Sequence, residues 1–177
     1  MPKQESFTEN YKKYILDYMI NSTYQKNKRI RHASQPFIIV GCIVSNKDGK
    51  ILLIQEDDKW NQPAGWLELN ESIIDGAKRE AQEETGQEIV IKSLLGVYSL
   101  VKQKGGSILH AVKFIFRAHS TGKKLSSSEK INTQWFSPEE INKLEGKLWD
   151  PDVIKEIKDW QAGKSYSLEI VKAFTNA

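Results

Sequence analysis

One cysteine among 177 residues has nothing to pair with inside the chain, which excludes an internal disulfide framework. Cys42 stands in an apolar, strand-like run, where a small core residue is the expected role. No apolar run is long enough to span a membrane. The N-terminal residues are charged and polar, without the apolar segment of a secretory leader, and this favours the cytoplasm. The three histidines, His32, His110 and His119, lack the spacing of a histidine metal site, and there is no internal repeat. Net charge is only +3, but it is unevenly placed. Residues 1–35 carry seven Lys/Arg against three Asp/Glu, a net of +4, and the remainder carries 19 against 20, a net of −1. A basic extension precedes a nearly neutral body.

Acid, by contrast, is concentrated in one short stretch. Gly65 to Gln87 reads GWLELNESIIDGAKREAQEETGQ. Ser72 is a suitable N-cap, Ile73, Ile74, Ala77 and Ala81 form an apolar stripe, and Gly86 suits the left-handed position that ends a helix. At about 100° per residue, Glu80, Glu83 and Glu84 fall at roughly 0°, 300° and 40°, so three carboxylates share one face. Like charges at such spacings repel. A hard divalent cation, Mg²⁺ or Mn²⁺, removes the penalty, because carboxylate oxygens are its preferred ligands.

Gly65, Glu71, Arg79, Glu80, Glu83, Glu84 and Gly86 resemble the Nudix box, G-x5-E-x7-R-E-U-x-E-E-x-G-U with U a bulky apolar residue. Two positions depart from it. Ala81 is small at the first U, and Gln87 is polar at the last, where Ile89 is placed to fill the core instead. The preceding WNQPAG segment resembles that of small bacterial Nudix phosphatases acting on nucleoside and pyrimidine di- and triphosphates. An acidic run alone would be a solvated face; the seven fixed positions point to chemistry.

The resemblance implies a metal-dependent hydrolase cutting a phosphoanhydride in a small nucleotide-like molecule. It implies Glu80 and Glu84 as primary metal ligands, Glu83 as a further or water-mediated one, and the Gly65 carbonyl as another. Glu71 and Arg79 are expected to form an ion pair that orients helix and loop; phosphate binding by Arg79 is the alternative. The general base is Glu83 or, from a later loop, Glu129. Trp60 is the candidate for stacking on a base and Gln62 for hydrogen bonding to it. Two other activities of the family, on ADP-ribose or nucleotide sugars and on dinucleoside polyphosphates, carry a later proline or tyrosine; Gln103 and Lys104-Gly105 stand there. A non-catalytic ligand sensor or RNA-binding factor would use the basic arm, but this box keeps every charged position, so nucleic acid is not the expected partner.

The rest of the chain fits an α/β fold, the α/β/α sandwich with a mixed sheet that the resemblance implies. Expected units are an N-terminal helix and basic linker (1–35), the hydrolase domain (36–163) and a C-terminal tail (164–177). Phe7 to Ile20 has the period of an amphipathic helix rich in aromatics, which would pack in cis or join a homodimer. Phe37–Ser45 and Lys50–Gln55 read as a hairpin, with the former buried on both faces. Glu88–Leu100 reads as strand interrupted at Gly96, and Ile108–Ala118 as another strand. His119–Lys130 reads as loop. Ser137-Pro138-Glu139-Glu140 and Asp150-Pro151 open the last helices.

Overall fold

The computed structural model describes residues 36–56, 58–104, 107–125, 131–144, 146–148 and 151–174. The expected N-terminal helix, the basic linker and Glu129 lie outside the described residues.

Nine apolar-rich residues make β1, Phe37–Ser45, which runs through the middle of the sheet. It turns through Asn46–Gly49 into β2, Ile51–Glu56. Two three-residue strands follow, β3 (Lys59–Asn61) and β4 (Ala64–Trp66). The acidic helix α1 spans Ile73–Thr85. Next come β5 (Gln87–Lys104), β6 (Ser107–Lys124), β7 (Asn132–Phe136), α2 (Pro138–Asn142) and α3 (Pro151–Gln161). The sheet order is β3-β2-β1-β6-β5, with β4 added to β1 and β7 to β2. Only the β1–β6 pair is parallel among the named strands, so the sheet is mixed.

Two apolar layers sandwich it. Val40, Cys42, Val44, Leu52, Ile89 and Phe116 pack with Ala77 and Ala81 of α1. Ile43, Ile51, Leu53 and Ile115 pack on the other face with Ile141 of α2 and Val153 and Ile157 of α3. β1 feeds both layers, as its unbroken apolar run requires. Ile89 is in the core, while Gln87 stays partly exposed and accepts a hydrogen bond from Ser120 Oγ at 3.0 Å.

Two expectations are corrected. Gly96 does not interrupt a strand: β5 continues through it, with a bulge between Leu94 and Gly96 that shifts the register against β6. Residues 119–124 are not loop but the end of β6, because β5 begins immediately after α1 and supplies partners such as Val90 for His119 and Gln87 for Lys124. Their polarity reflects exposure at the sheet's end rather than a lack of pairing. The stretch after α3 folds back: Tyr166 and Leu94 exchange backbone hydrogen bonds of 2.9 and 2.8 Å, and Leu168 and Val171 pack on the α1-side core.

Candidate active site

The site is built where β4 passes under α1. Ser72 caps the helix, its hydroxyl accepting from Asp75 N at 3.1 Å, and Gly86 ends it with φ 63°. β4 lies unusually close to β1. A Cβ on Gly41 would stand 2.5 Å from Ala64 Cβ and 2.7 Å from the Pro63 carbonyl, so only glycine admits this approach. Gly65 has the same role towards the helix: a Cβ there would fall 2.3 Å from the Glu80 carboxyl. The absent side chain is the cradle in which that carboxylate rests.

Arg79 organises the remaining acids. Its Nε donates to Glu71 Oε2 at 3.0 Å and its Nη2 to Glu71 Oε1 at 2.8 Å, a two-pronged bond matching guanidinium to carboxylate. Nη1 donates to Glu80 at 2.8 Å and Glu83 at 3.1 Å, and Nη2 also reaches the Trp66 carbonyl at 3.2 Å. The guanidinium beside Glu71 holds that carboxyl below the usual carboxylate range, and Glu71 with Glu80 holds Arg79 firmly charged. Glu71 also accepts from Glu68 N at 2.7 Å, which ties the loop to the helix. Glu84 turns towards the sheet, is buried, and accepts from Ala64 N at 2.9 Å. Burial first, and then the charge of Glu84, push the Cys42 thiol well above its ordinary range, so it stays protonated and inert.

Gly65, Glu71, Arg79, Glu80, Glu83 and Glu84 are thus brought together, as their spacing predicts. Among the described residues no three acidic, histidine or cysteine side chains converge tightly enough to hold a metal ion as they stand, because Arg79 draws Glu80 and Glu83 to itself in the manner of a cation. The donor set nevertheless fits a hard divalent ion. Three carboxylates, Glu71, Glu80 and Glu83, face one guanidinium, and the Glu80 carboxylate lies in the hollow left by Gly65.

Trp60 and Gln62 lie on the opposite face. Trp60 packs edge-on to Phe136 with ring centroids 4.8 Å apart, in the layer beneath α3. Gln62 is only 1% exposed and donates to Glu156 Oε2 at 2.5 Å. It belongs to a buried polar network that sequence reasoning missed. Lys113 Nζ lies 2.6 Å from both Asp152 and Glu156. Asp152 and Glu156, four apart on α3, share the face of Val153 and Ile157, and that shared periodicity was the available signal. Gln62 Oε1 and Asn61 Oδ1 are buried there without a hydrogen-bond partner among the described residues.

Comparison with known proteins agrees with this geometry. The NUDIX domain profile matches residues 36–157. Phosphatase NudJ of Shigella boydii serotype 4 is 30% identical over 144 residues, covering 79% of this chain and 93% of that protein. Phosphatase NudJ of Escherichia coli K12 is 29% identical over the same length. Among solved structures, a NUDIX hydrolase from Nitrosomonas europaea superposes with a TM-score of 0.68 at 31% identity, covering 81% of this chain and all of that one. No helix among the described residues is long and apolar enough to cross a membrane. With the seven fixed box positions, the mixed sandwich and these relatives in agreement, the chain belongs to the Nudix family and is a hydrolase.

Proposed function

We propose that this hydrolase cuts a phosphoanhydride bond in a nucleoside di- or triphosphate, or a related nucleotide-like diphosphate, with Mg²⁺ or Mn²⁺ as its cofactor and the cytoplasm as its place of work. The observation that carries this reading is the excess of acid around Arg79: three carboxylates, one guanidinium, and the Glu80 carboxyl lodged against Gly65. Glu80, Glu84, Glu83 and the Gly65 carbonyl would hold the ion. When bound, it lowers the pKa of water and neutralises charge on phosphoryl oxygens.

The chain's own residues do the rest. Glu71 fixes Arg79 through two hydrogen bonds, and Arg79 fixes the orientation of Glu80 and Glu83. All three nitrogens of the guanidinium are engaged by protein oxygens, which favours the supporting role over phosphate binding. Glu83 is the most exposed of the three helix carboxylates, at 42% of its side chain against 15% for Glu80, and is best placed to take the proton of an attacking water. Glu129 remains the alternative base. Trp60 and Gln62 are enclosed in the layer beneath α3, with Gln62 bonded to Glu156, which favours a role in holding the β3–β4 crossing in place over contact with the substrate's base.

The experiment follows phosphate, pyrophosphate and nucleoside monophosphate released by purified full-length protein. Nucleoside di- and triphosphates, ADP-ribose and nucleotide sugars are each tested with Mg²⁺, with Mn²⁺ and with chelator. Turnover of nucleoside di- or triphosphates that the chelator abolishes supports the reading. Turnover confined to ADP-ribose or nucleotide sugars, or unaffected by chelator, overturns it.

A further inference from the structure

Glu156 on α3 is fully buried, and its partners tie the helix both to the sheet and to the crossing between β3 and β4. Oε1 lies 2.6 Å from Lys113 Nζ on β6, which fixes the carboxylate against the middle of the sheet. Oε2 accepts from Gln62 Nε2 at 2.5 Å. With the carboxylate ionised this bond is charge-assisted, about twice as strong as one between neutral groups.

The crossing transmits what happens at Gln62. Pro63 follows it, with a ring that locks its own φ and holds the residue before it in extended backbone. The Pro63 carbonyl accepts from Cys42 N at 2.9 Å, so the segment pivots on β1. Next in the chain, Ala64 N donates to Glu84 Oε2 at 2.9 Å, and Gly65 lies against the Glu80 carboxyl. Few soft torsions separate the Gln62 amide from Ala64, and a shift of the one is carried to the other.

Among the described residues, the ionisable groups facing Glu156 are Lys113 from β6, Tyr98 from β5, and Asp152 and Asp159 from its own helix. The crossing contributes the neutral amide of Gln62. Burial and the two acids oppose the charge, Lys113 favours it, and the carboxyl ionises at about 7. The charge that strengthens the bond to Gln62 is therefore present above neutrality and lost below it. Groups shifted this far concentrate at functional sites.

We infer that Glu156 is a positioning residue for the hydrolysis: its carboxylate, acting through Gln62 and Pro63, holds Ala64 and Gly65 in place against Glu84 and Glu80. The role rests on those two glutamates serving as ligands of the ion proposed above.

Two variants of the full-length chain test it. Glu156→Gln keeps the size and an acceptor for Gln62 but removes the charge; Gln62→Met keeps the bulk and removes the bond. Turnover under saturating Mg²⁺ is measured beside Mn²⁺ binding without substrate, read from the free-ion signal in electron paramagnetic resonance. At pH 8 Glu156→Gln should lose about 10-fold in turnover and bind Mn²⁺ more weakly, with substrate KM unchanged. At about pH 6, where wild-type Glu156 is itself largely protonated, the gap should close to about two-fold or less. The melting temperature at pH 8 should be no lower than wild type, which separates positioning from loss of fold. Gln62→Met should lower turnover as Glu156→Gln does, and the double variant should fall no further. Wild-type turnover and Mn²⁺ affinity in Glu156→Gln, a gap that does not narrow at the lower pH, or a rise in KM alone each overturns this role and leaves the metal ligands standing. A wild-type chain that turns over substrate yet binds no Mn²⁺ removes the ligands themselves, and the role with them.

Discussion

Glu84 is the carboxylate whose removal separates chemistry from folding most cleanly. It is buried at 8% exposure and accepts a hydrogen bond from Ala64 N. Glutamine at 84 keeps an acceptor for that bond and removes the charge. Glu84→Gln should therefore cut turnover by at least about 100-fold with an unchanged melting temperature and circular dichroism spectrum. A folded variant of near wild-type activity would remove Glu84 from the ligand set. Arg79→Lys tests a different property. Lysine keeps the charge but cannot hold Glu71 with two parallel bonds while reaching Glu80 and Glu83. Turnover should fall about 10- to 100-fold with weaker metal affinity, measured by titrating Mg²⁺ against activity. A rise in substrate KM alone, with metal dependence unchanged, would mean that Arg79 binds phosphate.

At the scale of elements, α3 is fastened to the sheet through charge as well as apolar contact. Burial is the first cause that pushes the Glu156 carboxyl up to about 7, against the opposing pull of Lys113. Burial pulls Lys113 down, but Glu156 and Asp152 outweigh it and keep it charged. Between an unfolded value near 4.5 and a folded value of about 7, the native state holds this proton more tightly than the unfolded chain. Glu156 therefore lowers stability as pH rises through that window, and its full effect is present above it. Glu71 and Asp159, the latter held at about 2 chiefly by Lys155, are ionised in the native state throughout and add no opposing slope above pH 5.5. Glu156→Gln should be more stable than wild type at pH 8 by about 1–3 kcal/mol, with the difference shrinking at pH 5.5. Thermal melts at the two pH values check this; a pH-independent difference would contradict it.

The same element explains what was legible in the sequence. α1 and α2 announce themselves through local chemistry: Ser72 and Gly86 bound the one, and Ser137 with Glu140 forms a capping box on the other. The box residues converge because a helix fixes its own spacing. Lys113 and Glu156 are 43 positions apart, and neither differs locally from a solvated charge; only the closing of α3 over β6 brings them together. For the same reason residues 119–124 looked like loop, since their partners in β5 are supplied by tertiary structure.

The whole molecule turns on the short crossing between β3 and β4. Gln62 is bonded to Glu156 in the layer beneath α3, and two residues later Ala64 is bonded to Glu84 in the layer beneath α1. Cys42 N donates to the Pro63 carbonyl at 2.9 Å, which pins the crossing to β1. Both layers therefore depend on how closely this segment approaches Gly41. A methyl group at 41 meets Ala64 Cβ and a backbone oxygen, neither of which can swing aside like the end of a flexible side chain. Gly41→Ala should lower stability by about 1–3 kcal/mol, the range for an overpacked core. It should also reduce turnover at temperatures where the variant is fully folded, because Ala64 and Gly65 carry the contacts to Glu84 and Glu80. Gly49→Ala is the control: a Cβ there meets nothing within 4 Å, so only the strain of its φ of +74° is felt, away from the site. Melting curves and turnover on the two variants decide it. Equal loss of stability with full activity in both would show that the crossing does not couple the layers.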